Sequence, residues 1–342
     1  VGEITTIGLD LAKHVFQVHA IDVAGRVVIR RQLRRSEVLK FFEKLPACLV
    51  GMEACGSAHF WAREIAALGH TVKMMPPAYV KPYVKRGKTD AADAEAICEA
   101  VTRPTMRFVP VKTIEQQSVL MLHKTRDLLI KQRTMLINAL RSHLAELGVV
   151  SAQGPAGLQS AIATLHEMQH KWPDLACAAL HGIVDQLRDL RLQIEKLETR
   201  IHAWHRNDET SCRLAKIPSI GPITASAIVA AVPDASIFRS ARQFAAWLGL
   251  TPKAHSSGGK AKLGGISKQG DGYIRRLLVV GATSVIRVAQ KGTASKLWAT
   301  KLLENKPARV VSVALANKTA RIVWAMLVRK QDYAGPAPVA TA

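Results

Sequence analysis

The stretch ITTIGLDLAKHVFQV, residues 4–18, decides the fold. Ile4, Ile7 and Leu9 form an apolar first strand that delivers Asp10 at its end. The chain then turns near Ala12-Lys13 into Val15–His19, a second strand running back. Asp22-Val23-Ala24-Gly25 reads as a further turn, leading to a third run at Gly25–Arg30. The three strands make a meander with Asp10 on a central strand, where an acid is costly to bury unless it binds a metal or another cation.

Working outward, Val38, Leu39, Phe41 and Phe42 give a short helix over 36–45, and Leu49–Glu53 is an apolar run that again ends in an acid. A helix over 57–68 and a strand over 70–75, stopped by Pro76-Pro77, complete a strand–helix–strand pattern of the α/β class. In such sheets sites form beyond the C-terminal strand ends. The basic, turn-like segment 81–88 then leads into an Ala-rich helix start at 89–97, whose Asp90 and Asp93 share one face. If Asp10, Glu53, Asp90 and Asp93 converge, a cation must offset their repulsion, and Mg2+ or Mn2+ suits oxygen ligands and phosphodiester chemistry. Taken singly, each also reads as a surface acid, Asp10 and Glu53 less so because they follow buried-looking runs, and Asp93 also as a helix-capping one.

From 113 to 147 Leu recurs at helical spacing, and after a break at 148–157 a second long helix spans 173–205. There Leu180, Ile183, Leu187, Leu190, Ile194, Leu197 and Ile201 alternate spacings of three and four, a heptad seam. The pair reads as an antiparallel coiled coil over 111–208 joining two functional domains, 1–110 and 209–332; a packed bundle would leave the same signature. In 214–232 two helices flank Ile217–Pro222, resembling a helix-hairpin-helix motif in which Gly221 admits a phosphate to the backbone and Thr224 contacts it. An ordinary tight turn is the plain alternative. Helix is expected again over 238–248, 293–304 and 310–330, and the tail 333–342 is expected to be disordered.

Residues 250–278 are the least ordinary: LTPKAHSSGGKAKLGGISKQGDGYIRRLL has little apolar periodicity and so much Gly and Lys that a phosphate backbone is the natural partner to order it as a loop. Lys260, Lys262 and Lys268 are its candidate phosphate contacts, with Arg275 and Arg276 following in a helix that starts near Tyr273. Ser256 and Ser257 precede the first glycines. No base stands beside them, so chemistry alone favours a phosphate-contacting serine over a nucleophile.

The charge agrees. The chain carries a net +22, and residues 214–342 hold 19 Lys/Arg against 4 Asp/Glu, which calls for a polyanion. Five cysteines without CxxC or zinc spacing read as reduced core or near-core thiols of a cytosolic protein. No uncharged apolar window reaches 18 residues, so neither secretion nor a membrane span is expected.

The order GLDLAK, GMEACGSAHFWA, KTDAADAEAI, then IPSIGPITASAIVAAV through FAAWLGLTPKAHSSGGKAKLGGISKQGDGYIRRLLV resembles the DEDD-type insertion-sequence transposases described as bridge-RNA-guided serine recombinases. The resemblance spans about residues 4–330. It implies a ribonuclease-H-like, Holliday-resolvase-like N-terminal domain with metal-binding acids at Asp10, Glu53, Asp90 and Asp93, and a helical transposase domain with Ser257 as nucleophile, Ser256 being the alternative in the doubled serine. It further implies donor and target double-stranded DNA, a structured non-coding guide (bridge) RNA, a dimer or tetramer pairing acids and serine from different protomers, and a cytoplasmic, nucleoid-associated location. Two other classes remain to be weighed: a metal-dependent nuclease of branched DNA that makes no covalent serine link, and a non-enzymatic nucleic-acid scaffold.

Overall fold

A computed structural model describes residues 3–85, 87, 89–257, 260–290 and 298–334; the side chains of residues 256, 257, 260 and 261 lie outside what is described. The chain divides into two units, residues 1–115 and 116–342.

In the first unit, β1 (Thr6–Asp10), β2 (Val15–Ile21) and β3 (Val27–Arg34) form the expected meander. Helix α1 (Val38–Phe42), β4 (Leu49–Glu53), α2 (Ala58–Ala67), β5 (Thr71–Met75), the single turn α3 (Pro77–Val80) and α4 (Asp90–Val101) follow. The sheet order is β3-β2-β1-β4-β5. β1 pairs antiparallel with β2, and β2 with β3, while β4 runs parallel to both β1 and β5. Strand β1 is therefore central. It is buried throughout except at Asp10, and β4 likewise except at its two ends, the near-continuous burial expected of strands covered on both faces. Edge strand β3 exposes Arg30, Arg31 and Arg34 instead, charges that discourage a foreign strand from pairing there.

One face of the sheet is packed by Ile7, Leu9, Phe16, Val18, Met52, Trp61 and Ile65, with the Phe16 and Trp61 rings edge to face at 5.0 Å. Helix α4 crosses the other face at backbone distance. A Cβ on Gly8 would meet the Ala94 carbonyl oxygen at 2.1 Å, and one on Gly51 would meet Val101 Cβ at 2.7 Å. Only glycines on β1 and β4 let the helix settle so close.

The second unit contains α5 (Ile114–Glu146, its first turn crossing the boundary), α6 (Pro155–Met168), α7 (Asp174–Asn207), α8 (Glu209–Leu214), α9 (Pro222–Ala231), α10 (Ala241–Trp247), β6 (Pro252–Ser257), β7 (Lys260–Ile266), α11 (Gly272–Gln290), α12 (Trp298–Leu303) and α13 (Ala308–Arg329). Helices α5 and α7 lie antiparallel: Leu140 and Leu144 share a cluster with Leu180, Val184 and Leu187, while Arg126 and Glu198 pair at 2.6 Å further along. On the heptad seam Leu180, Leu187, Ile194 and Ile201 are buried, but Ile183, Leu190 and Leu197 only half so. Helix α6 was not expected. Its Ala161 and Leu165 fill the end of the α5–α7 pair, beginning at Gly154 (φ +94°) and Pro155 in the first turn.

Leu214, Ile228, Phe244, Leu248, Leu278, Ala316 and Val323 form the main core of this unit. Helix α13 is long and apolar enough to cross a membrane by length and composition. Here it serves as a core helix, with Ala316, Ala320, Val323 and Met326 buried. Within 250–278, expected to be a loop, Pro252–Ser257 and Lys260–Ile266 instead pair as the antiparallel strands β6 and β7, whose cross-strand bonds need no apolar side chains. Of the tail expected to be disordered, Tyr333 packs against the core; residues 335–342 lie outside the described residues, as do 293–297 of the expected helix over 293–304.

Candidate active site and nucleic-acid interface

Parallel pairing sets the first cluster. Leu9 of β1 lies opposite Met52 of β4, so the next residues, Asp10 and Glu53, emerge side by side at the C-terminal strand ends. The close seat of α4 over Gly8 brings the first turn of that helix, with Asp90 and Asp93, to the same end. Thr89 caps that turn, its hydroxyl accepting from the Ala92 amide at 3.2 Å.

The electrostatics reflect this crowding. Burial, then the charges of Asp93 and Asp90, push the Asp10 carboxyl up to about 6 against a bond from the Leu11 amide, and burial with Asp10 and Asp93 raises Glu53. None of the four acids is ion-paired among the described residues. Nor, among those residues, do any three acid, His or Cys side chains stand close enough to form a ready ligand shell. The donor set is all oxygen, partly buried at Asp10, Glu53 and Asp93 and exposed at Asp90. It fits a hard divalent cation that keeps several waters and takes one or two carboxylates directly, rather than one that needs a closed protein cage. Cys55, expected near the core, is exposed beside Glu53; Cys48 and Cys98 are buried.

The second cluster lies in the other unit. Ser257 ends β6 opposite Lys260, and Ser256 lies opposite Ala261; Gly258 and Gly259 are outside the described residues. Lys262 is exposed on β7 opposite His255, and Lys268 is exposed with left-handed backbone (φ +57°). The other candidates are occupied or covered. Arg275 donates to the carbonyls of Leu248 (2.9 Å) and Gln269 (2.6 Å), which ties the start of α11 to the hairpin's flanks. Arg276 pairs with Asp127 and lies over the Tyr273 ring. Gly221 precedes the first turn of α9, but Thr224 is buried inside that helix, away from any solvent-borne phosphate.

Two stretches of the chain match family models: residues 7–148 a transposase model of the DEDD type in the IS110 group, and residues 211–298 one described as "Transposase IS116/IS110/IS902 family". The chain is 50% identical over 333 residues to the "Probable family 20 transposase" of Pseudomonas aeruginosa, covering 96% of this chain and 98% of the relative. It belongs to the IS110/IS116/IS902 transposase family. It is also similar to the "Transposase for insertion sequence element IS1328" of Yersinia enterocolitica, at 39% identity over 94% of this chain and 96% of that one. The "Transposase for insertion sequence element IS1111A" of Coxiella burnetii matches at 38%, over 97% and 92%.

Within this transposase, two features escaped the sequence reading. Gly8 and Gly51 set the distance of α4 from the sheet, and their signal was present as glycines inside strands, a mark of close backbone approach. His123 is fully buried in α5, with Nδ1 3.1 Å from the Tyr273 hydroxyl and Nε2 3.1 Å from Ser226 Oγ. Ser226 donates its only hydroxyl proton to the Pro222 carbonyl, so Nε2–H donates to Ser226 and Nδ1 accepts from Tyr273. No local pattern announces a histidine whose partners lie 103 and 150 residues away.

Proposed function

We propose that this insertion-sequence transposase breaks and rejoins DNA strands through the hydroxyl of Ser257, assisted by a divalent cation, Mg2+ or Mn2+, held by Asp10, Glu53, Asp90 and Asp93. The first unit is read as ribonuclease-H-like, which the strand order β3-β2-β1-β4-β5 supports. The antiparallel α5–α7 pair is read as a coiled-coil arm, residues 111–208, joining it to a transposase domain over 209–332. The observation that carries the proposal is the convergence of Glu53, Asp90 and Asp93 on Asp10, whose carboxyl is raised to about 6 by burial first and then by the charges of Asp93 and Asp90.

The bound cation would neutralise charge on a scissile phosphate. The protein's own residues do the rest. The Ser257 Oγ–P bond forms as a strand P–O bond breaks; the hydroxyl proton passes to water and the departing strand oxygen takes one up. One phosphodiester thus becomes one phosphoserine ester, and the reverse attack reseals a strand with no external energy. Lys260, Lys262 and Lys268 hold the backbone on the hairpin. A guide RNA pairing with donor and target DNA would supply sequence choice, and serine and carboxylates would meet across protomers of a dimer or tetramer. The lysines of this segment, Lys262 and Lys268 exposed among them, suit that reading because lysines grip phosphate without reading base edges.

The test is to incubate the purified protein with element-end DNA, candidate guide RNA and magnesium, then look for a covalent protein–DNA adduct on denaturing gels. The adduct should form with the wild type and with Ser256→Ala, and be absent with Ser257→Ala. Cleavage by Ser257→Ala with no adduct in any protein would favour the nuclease reading instead.

A further inference from the structure

Beside the serine hairpin, in the same unit, lies a groove of about 1110 Å³ that the reaction above does not use. The root of the hairpin forms one wall, through Pro252 and Gly264–Ile266. One face of α13 forms another, its lining residues recurring at helical spacing from Arg309 to Ala325. The floor is apolar (Val310, Val313, Ile322), and among the described residues three cations line it (Arg309, Lys318, Arg321) and no acid does. None of these cations is ion-paired with a carboxylate among the described residues.

Two details narrow the occupant. Trp298 keeps 45% of its surface exposed in the groove, with the Lys318 ammonium 4.7 Å from its ring centroid. Gly265 presents bare backbone, since a Cβ there would meet nothing within 4 Å. An aromatic platform, a flat wall and cations without counter-charges are the combination that holds stacked bases and their phosphates. Duplex bases already stack on one another and offer no free faces, whereas unpaired bases do. An acidic peptide would satisfy the cations but has no use for the platform.

We propose that this groove holds unpaired bases of the DNA strand that leads to the serine hairpin, one base stacked on Trp298 and the neighbouring phosphates on Arg309 and Arg321. The assignment of DNA rests on the reading of that hairpin as the cleavage site. The groove therefore keeps unpaired the strand that Ser257 attacks.

Fluorescence anisotropy on the full chain tests it, with labelled oligothymidylate of about 12 nucleotides, an oligouridylate of equal length and a hairpin duplex as probes. Trp298→Ala and Gly265→Val should weaken oligothymidylate binding about five- to a hundredfold, Trp298→Phe should restore most of it, and duplex binding should stay within about twofold. Arg309→Gln and Arg321→Gln should each lower the salt dependence of single-strand binding by about 0.7 in the logarithmic slope. Ser257→Ala should bind oligothymidylate like the wild type, so failure of the covalent step and failure of the groove are separate results. Equal losses on single strand and duplex, or no loss, would overturn the proposal. So would tighter, Trp298-dependent binding of the oligouridylate, which makes this an RNA groove, or displacement of the oligothymidylate by an equal concentration of polyglutamate.

Discussion

Gly8 of β1 and Ala94 of α4 approach so closely that a Cβ on Gly8 would stand 2.1 Å from the Ala94 carbonyl oxygen. That contact sets the height of the helix whose first turn carries Asp90 and Asp93 above the strand that carries Asp10. Gly8→Ala must therefore lift α4 or bend β1. We expect a loss of about 1–3 kcal/mol in urea unfolding, typical of overpacking, together with weaker divalent-cation binding. A variant as stable as the wild type would show that the contact relaxes without strain.

Asp10 should make the apoprotein more stable in mild acid. Its folded-state pKa is raised to about 6 from an ordinary 3.8, so between those values the folded protein holds a proton that the unfolded chain has released. Stability from this group thus falls as pH rises through that window and stays low above it. In EDTA at about pH 8, Asp10→Asn should melt higher than the wild type, and the difference should vanish near pH 4. Magnesium should raise the melting temperature of the wild type and leave the variant nearly unmoved. If magnesium shifts neither protein, the carboxylates are not its site.

His123 works in the opposite sense. Burial, with Arg126 nearby, lowers its pKa from 6.5 to about 4, so its stabilising neutral form is complete above 6.5 and is lost as pH falls through that interval. Protonation replaces the Nδ1 acceptor for Tyr273 with a donor. Hydrogen exchange of α5 and α11 amides, followed by mass spectrometry, should quicken between about pH 6.5 and 4 relative to intrinsic rates, and His123→Gln should flatten that dependence.

The cations of residues 250–278 should separate into two kinds. Lys262→Gln and Lys268→Gln should each reduce the salt slope of DNA binding by about one, because those side chains are exposed. Arg275→Gln should leave the slope alone and instead cost about 1–3 kcal/mol of stability, since it leaves the Leu248 and Gln269 carbonyls without their donor. A salt slope that responds equally to all three would merge the two classes.

Much of this was legible along the chain. The runs at 4–9 and 49–52 read as strands because nearly every residue in them is apolar or small, with Asp10 and Glu53 directly after them, and 15–19 reads as the returning strand from Val15, Phe16 and Val18. The long helices α5 and α7 were readable from spacing that local geometry imposes. Helix α6 was harder, because Gly148, Gly154, Pro155 and Gly157 read as a break, although Gly154 and Pro155 are its start signal. The hairpin β6–β7 was hidden for another reason: its strands carry Lys, Ser and Gly in place of an alternating apolar face, and it is held by cross-strand backbone bonds that leave no side-chain pattern.

Sequence by itself determined the central place of Asp10, the pairing of two long helices and the basic character of the last third, because each follows from neighbours a few residues apart or from composition. Tertiary structure decided which cations are free. Arg276 is neutralised by Asp127, 149 positions away, while Arg309 and Arg321 face a groove that no acid lines among the described residues. Coulomb partners are chosen by distance in space, and chain spacing does not encode that distance until the helices have packed.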